Sequence, residues 1–198
     1  MNRLNQAATA ILAAVLGSCA IPWAGDVAET EAPVESVGPP VTIVEFSAAG
    51  ERTGVTEVPG IIKNDAAWRL TLTPAEFNIL RRKGTETAFS GRYHDLHDAG
   101  IYRCAACGTA LFSSADKFDS GTGWPSFTQP IAPENVYSDW DTSWGMRRRE
   151  VLCRRCGSHL GHVFKDGPPP KGNRYCMNSA ALRFERASRP TAAERRPL

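Results

Sequence analysis

The chain has 198 residues, of which 42% are hydrophobic and 22% charged, with a formal net charge of +2. That balance fits an ordinary domain with its own core. It leaves no polybasic argument for nucleic acid or for an anionic membrane surface, and the arginine runs Arg147-Arg148-Arg149 and Arg154-Arg155 read as solvated strand faces.

Residues 1–19 read as an export signal. Arg3 gives a small positive start, and Ala7 to Gly17 is almost wholly apolar. The run is short of the ~20 residues that span a bilayer. It ends in Leu16-Gly17-Ser18-Cys19, which resembles a bacterial lipobox with Cys19 as the lipid-bearing thiol. The alternative is a simple secretion signal cut near Ala20 or Gly25. Either reading exports the mature protein to the periplasm or cell envelope, touching membrane only through a lipid anchor on Cys19.

Residues 20–40 are small, acidic and Pro-rich, without a run that buries apolar area, and are expected to form a flexible linker. Residues 41–68 form a hairpin extension: Val41 to Phe46 is β-rich, Gly50 and Gly54 punctuate a turn, and Val55 to Val58 returns. The main domain covers 69–186. Its clearest helix opens at Thr73-Pro74-Ala75-Glu76, a capping box with proline at the first helical position. Phe77 and Leu80 give that helix its apolar face, and Gly84 is its expected stop. After Gly91 short apolar or alternating runs recur between Gly, Pro, Asn and Asp clusters. The expected fold is mainly β, an antiparallel sandwich or barrel with one or two short helices at its start. Residues 187–198 read as a disordered tail.

Of six cysteines, four form two C-x-x-C-G elements, Cys104/Cys107 and Cys153/Cys156. Two such turns present four thiolates to a tetrahedral Zn²⁺, with Gly108 and Gly157 permitting a positive φ after each pair. Two disulfides are the rival outside the cytoplasm. A C-x-x-C disulfide closes so small a loop that it adds little stability and is usually redox-active, which favours zinc.

Cys176 stands apart in Arg174-Tyr175-Cys176-Met177-Asn178. A buried structural cysteine is the plain alternative to a nucleophile. In an extended strand Arg174 and Cys176 share a face, so the guanidinium favours the thiolate. His159 and His162 lie three apart around Gly161, and a bend there brings both to one pocket for acid–base work. Asp166 is placed to orient a histidine or Arg174. In Gly123-Trp124-Pro125-Ser126-Phe127 the indole is either a core aromatic or a flat wall for a thioether methyl.

From Leu72 to about Phe184 these stretches, with Gly84-Thr85-Glu86, Phe89-Ser90-Gly91 and Asp166-Gly167-Pro168, resemble the B-type methionine sulfoxide reductases. The resemblance implies a mainly antiparallel β fold, a structural zinc on Cys104, Cys107, Cys153 and Cys156, and reduction of the R epimer of methionine sulfoxide. It makes Cys176 the nucleophile. His159, His162 and Asn178 would bind and polarise the sulfoxide oxygen, directly or through water, and Trp124, with Phe127 beside it, would receive the substrate. Arg174 and Asp166 would support the thiolate. Many family members carry a resolving cysteine where this chain has Thr122, so the expected sulfenic acid on Cys176 falls to an external thiol reductant, thioredoxin-like or other. The expected partners are oxidised proteins or peptides, with no nucleic acid, and the expected state is a monomer. Two other readings explain less: a zinc binding module leaves Cys176 idle, and a thiol–disulfide oxidoreductase needs its C-x-x-C free of metal.

Overall fold

A computed structural model describes residues 31–187; the leader with Cys19 and the tail from residue 188 lie outside them. Strands β1 (Glu35–Phe46) and β2 (Arg52–Lys63) pair antiparallel as a hairpin. This hairpin starts inside the segment expected to be a linker. Pro39 and Pro40 did not exclude a strand because the register shifts between Val37 and Pro40, the irregularity that accommodates proline at a two-stranded edge. The hairpin is anchored by side chains beyond it. Asn135, fully buried, accepts the Val44 N–H at 2.7 Å and donates to the Val44 carbonyl at 2.8 Å. The Ile61 N–H donates to the Arg155 carbonyl at 2.9 Å.

Helix α1 (Asp65–Arg69) follows a cap by Asn64, and α2 (Pro74–Arg82) has the expected capping box. The Thr73 N–H donates to Glu76 Oε2 at 2.9 Å and Thr73 Oγ1 accepts the Glu76 N–H at 3.3 Å. The left-handed residue that ends α2 is Lys83 at φ 55°, one position before the expected glycine. That turn aims the Lys83 ammonium back towards the body of the domain.

The remaining strands are β3 (Gly100–Cys104), β4 (Ala110–Ser113), β5 (Lys117–Phe118), β6 (Ser126–Phe127), β7 (Val136–Asp141), β8 (Arg148–Cys153), β9 (His159–Phe164), β10 (Arg174–Met177) and β11 (Leu182–Arg186). They form a six-stranded sheet in the order β5-β6-β10-β9-β8-β7 and a three-stranded sheet in the order β11-β3-β4. Every pairing is antiparallel, as the rhythm of short alternating runs predicts. Between the sheets Phe112 stacks on Phe127 at 4.5 Å, and Tyr102 meets Phe127 edge-on at 5.0 Å. Trp68, Leu80, Leu160 and Met177 complete that core. Truncating a fully buried ring such as Phe127 to alanine would cost about 3–5 kcal/mol.

Register positions the site. Cys176 is opposite His162 on one side and opposite Ser126 on the other, so all three project from the same face. Tyr175 is opposite Phe127 and Val163 on the other face, which packs into the core.

Candidate active site

The two C-x-x-C turns leave β3 and β8 and meet. Gly108 and Gly157 have φ of 77° and 65°, and their N–H groups close the turns on the Cys104 and Cys153 carbonyls at 2.9 Å. All four Sγ atoms lie within 4.8 Å of one another. The Cys104–Cys156 and Cys107–Cys153 separations are 3.7 and 3.5 Å. Zn–S bonds of about 2.3 Å in a tetrahedron require sulfur–sulfur edges of about 3.8 Å, so the four thiols fit zinc. These two close approaches run between the turns, and all four thiols are free. Zinc there would tie the end of β3 to the end of β8 and have no place in the chemistry below.

Cys176 opens into a cavity of about 130 Å³ lined by Trp124, Arg148, His162, Phe164, Asn178 and Thr85 among others. Burial pushes the Cys176 thiol up, and Arg174 with the hydroxyls of Thr122 and Ser126 pulls the other way without cancelling it. The expected Arg174 effect is therefore present but outweighed: the resting group is a thiol. Ser120 Oγ lies 2.8 Å from both Thr122 Oγ1 and Ser126 Oγ, which links the hydroxyls beside the sulfur into one network. Arg174 is held by two bonds to Asp166, at 2.9 and 2.7 Å. Asp166 thus orients the arginine and not a histidine.

Each histidine has its own carboxylate. His162 Nε2 lies 2.7 Å from Asp141 Oδ2, and Arg148 also donates to that oxygen at 2.7 Å. His159 Nδ1 lies 2.7 Å from Glu150 Oε1, and Lys83 donates to Glu150 Oε2 at 2.7 Å. The rings sit 5.3 Å apart. Between Val151 and Leu152 the β8–β9 register slips, which turns His159 to the side of His162 despite their spacing. Gly161 makes this possible by close approach, since a Cβ there would collide with the Cys176 carbonyl. Burial pushes His162 below its ordinary value, the Asp141 bond raises it, and Arg148 adds to the depression. Neutral His162 therefore keeps its proton on Nε2 towards Asp141 and leaves Nδ1 free to take another.

His159 does not line the cavity. It is 2% exposed, behind His162, and its Nε2 is buried with no partner among the described residues. Asn178 reaches the cavity: its Oδ1 accepts the Glu86 N–H at 3.1 Å and its Nδ2 donates to the Leu160 carbonyl at 3.2 Å, leaving one amide hydrogen free. Glu86 also fixes the wall, since Trp124 Nε1 donates to its carbonyl at 3.1 Å. Phe127 is a correction. It is fully buried against Phe112, because strand alternation turns it away from the face that carries Ser126 and Cys176.

Sequence reasoning missed Asp141, Arg148, Glu150 and Lys83. Glu150 had a signal: one acid directly before Val151-Leu152-Cys153 in a strand otherwise bound for the interior. Asp141 and Arg148 meet only through the β7–β8 pairing and had none.

The SelR domain matches residues 72–186. The chain belongs to the SelR-domain family. The Thiobacillus denitrificans protein named peptide methionine sulfoxide reductase MsrB is 61% identical over 122 residues, 62% of this chain and 92% of that protein. Proteins of the same name from Leptospira interrogans and Methanosarcina barkeri are 55% and 54% identical over 63% and 62% of this chain, covering 95% and 87% of their own lengths. The hairpin of β1 and β2 precedes the SelR match, whereas every residue of the site just described lies within it.

Proposed function

We propose that this SelR-domain protein reduces the R epimer of methionine sulfoxide to methionine, with Cys176 as nucleophile. One observation carries the reading: a lone thiol shares a small cavity with a Trp124 wall, a neutral histidine and a free amide hydrogen. The substrate methyl rests on Trp124, where sulfur-bearing groups gain about 0.3–1.5 kcal/mol from an aromatic ring. The sulfoxide oxygen lies towards Asn178 and His162.

The Cys176 proton passes to His162 Nδ1 and then to the sulfoxide oxygen as sulfur attacks sulfur. The S–S bond so formed is transient: the protonated oxygen leaves as the substrate S–O bond breaks, hydroxide adds to the Cys176 sulfur as the S–S bond breaks, and methionine departs from Cys176 sulfenic acid. Protonation by a histidine is needed because the oxygen is otherwise a poor leaving group. The cycle closes when an external thiol reductant attacks the sulfenic acid, since Thr122 stands where a resolving thiol would be.

The reading extends to a protein-bound substrate, a monomer, and export with a lipid anchor at Cys19; the last is supported by the lipobox-like residues of the leader. The deciding experiment assays wild type and Cys176→Ser on each sulfoxide epimer with a dithiol reductant. Turnover of the R epimer alone, lost in the variant while zinc content and melting hold, is the expected result. Activity retained by the variant would end the reading.

A further inference from the structure

A second cavity adjoins the site. It measures about 200 Å³, and its walls include Phe89, His94, Asp95, Asp119, Gly123 and Trp124. Trp124 is common to both cavities, so they adjoin at that residue.

Phe89 is out of place on structural grounds. Its φ of 64° lies in the left-handed region, where glycine or asparagine is the ordinary choice and a bulky ring is an outlier. It is held there by its N–H, which donates to the Gly123 carbonyl at 2.8 Å, a bond that any residue would make. The ring abuts Gly123, where an added Cβ would come within 2.7 Å of it. It meets the His94 ring edge-on at 5.9 Å but stays 62% exposed, which gives it little burial to offset its conformation. Strain of this kind next to a site points to a binding task. Asp95 and Asp119 line the cavity, and Lys117, which does not line it, interacts with both and offsets part of their charge, so the lining keeps a net negative balance. The Asp95 side chain is 80% exposed, and its one ion pair among the described residues is with His97.

We propose that this shelf docks the polypeptide flanking the methionine sulfoxide, with Phe89 as its apolar platform and Asp95 and Asp119 favouring a lysine or arginine nearby. The proposal rests on the reductase reading and makes its substrate protein-bound. An extended chain advances about 3.4 Å per residue, and because the two cavities adjoin at Trp124 the residues next to the sulfoxide are the ones that meet the shelf.

The test compares kcat/KM for free methionine (R)-sulfoxide with that for capped pentapeptides carrying the sulfoxide between two lysines, two alanines or two glutamates. Phe89→Gly suits the backbone and keeps the Gly123 bond. It should lower kcat/KM on all three peptides about fivefold through KM, with free sulfoxide unchanged and melting unchanged or higher. Wild type should favour the lysine over the glutamate peptide at low salt, and Asp95→Asn with Asp119→Asn should erase that preference. An equal loss on free and peptide substrates would make Phe89 a mere support for the Trp124 loop and overturn the proposal. So would a peptide profile that neither substitution moves. Wild type inactive on every sulfoxide would instead remove the reductase reading, and the shelf with it.

Discussion

Glu150→Gln separates a catalytic arrangement from a buried ion pair. The carboxylate is 1% exposed and accepts two bonds of 2.7 Å, from His159 Nδ1 and from Lys83. Glutamine keeps a single acceptor oxygen. The Lys83 ammonium can only donate, so the amide oxygen must serve it, and the amide N–H must face His159. His159 then has to carry its proton on Nε2, the opposite tautomer. Charge-assisted bonds contribute about 1.5–3 kcal/mol each, while the variant no longer buries a charge, so the net loss is about 2–4 kcal/mol. For a domain of this size that is a drop of about 5–15 °C in Tm. The sign with pH follows. Burial raises the Glu150 carboxyl, but the bonds from His159 and Lys83 outweigh it and hold it below its ordinary value. Its stabilisation is thus complete above the unfolded carboxyl pKa of about 4.3 and fades as pH falls through the folded value. Wild type and variant should differ fully at pH 7 and converge in acid. Turnover should fall about tenfold or more, and ¹⁵N shifts of the His159 ring should report the changed tautomer. A lowered Tm with unchanged kcat and unchanged ring shifts would refute the assignment and leave Glu150 as packing.

Three further outcomes are expected. Zinc analysis should give about one ion per chain, and Cys104→Ser should lose it together with several kcal/mol of stability; a metal-free protein melting as the holoprotein does would exclude the zinc site. Ser126→Ala removes a hydroxyl that favours the Cys176 thiolate, so the pH midpoint for alkylation of Cys176 should move further up from 9.0; an unmoved midpoint would rule the hydroxyl network out. Because His162 lies below 6.5 and Cys176 above 9.0 when folded, kcat/KM should be flat between those values and fall only outside them, whereas a limb near pH 7.5 would contradict neutral His162 paired with protonated Cys176.

What could be read along the chain was local. The capping box, the C-x-x-C turns and the short strand runs carry their signal within a few residues, and each stands where it was expected. Cys176 and Arg174 were legible as a pair because strand alternation fixes their common face. Phe127 shows how that same rule was left unused: an odd-numbered step from Ser126 puts it in the core. The carboxylates behind the histidines were hidden because they arrive from β7 and β8, and a register slip decides which histidine each one meets. While residues 20–30 lie outside the described residues, the linker expected over 20–40 gives way to a strand at 35–40 for a different reason. Its acidic and proline content describes an isolated chain, but Glu35–Pro40 pairs with Pro59–Lys63, and that strand in turn docks on Arg155.

The pairing of every buried acid with its own cation explains how a raised thiol pKa is compatible with nucleophilic attack. Asp141 is balanced by Arg148 and Glu150 by Lys83, and His162 rests neutral beside a neutral thiol. Moving the Cys176 proton to His162 creates one negative and one positive charge on side chains that face each other across β9 and β10. The site remains neutral overall through that step, and an adjacent ion pair in a poorly solvated cavity costs far less than an isolated thiolate. Asp141 favours the imidazolium that appears, and Arg174 with the Thr122 and Ser126 hydroxyls favours the sulfur anion. Burial therefore stores Cys176 as a thiol, which reacts poorly with passing oxidants, and leaves ionisation to the moment when a sulfoxide oxygen is ready to receive the proton.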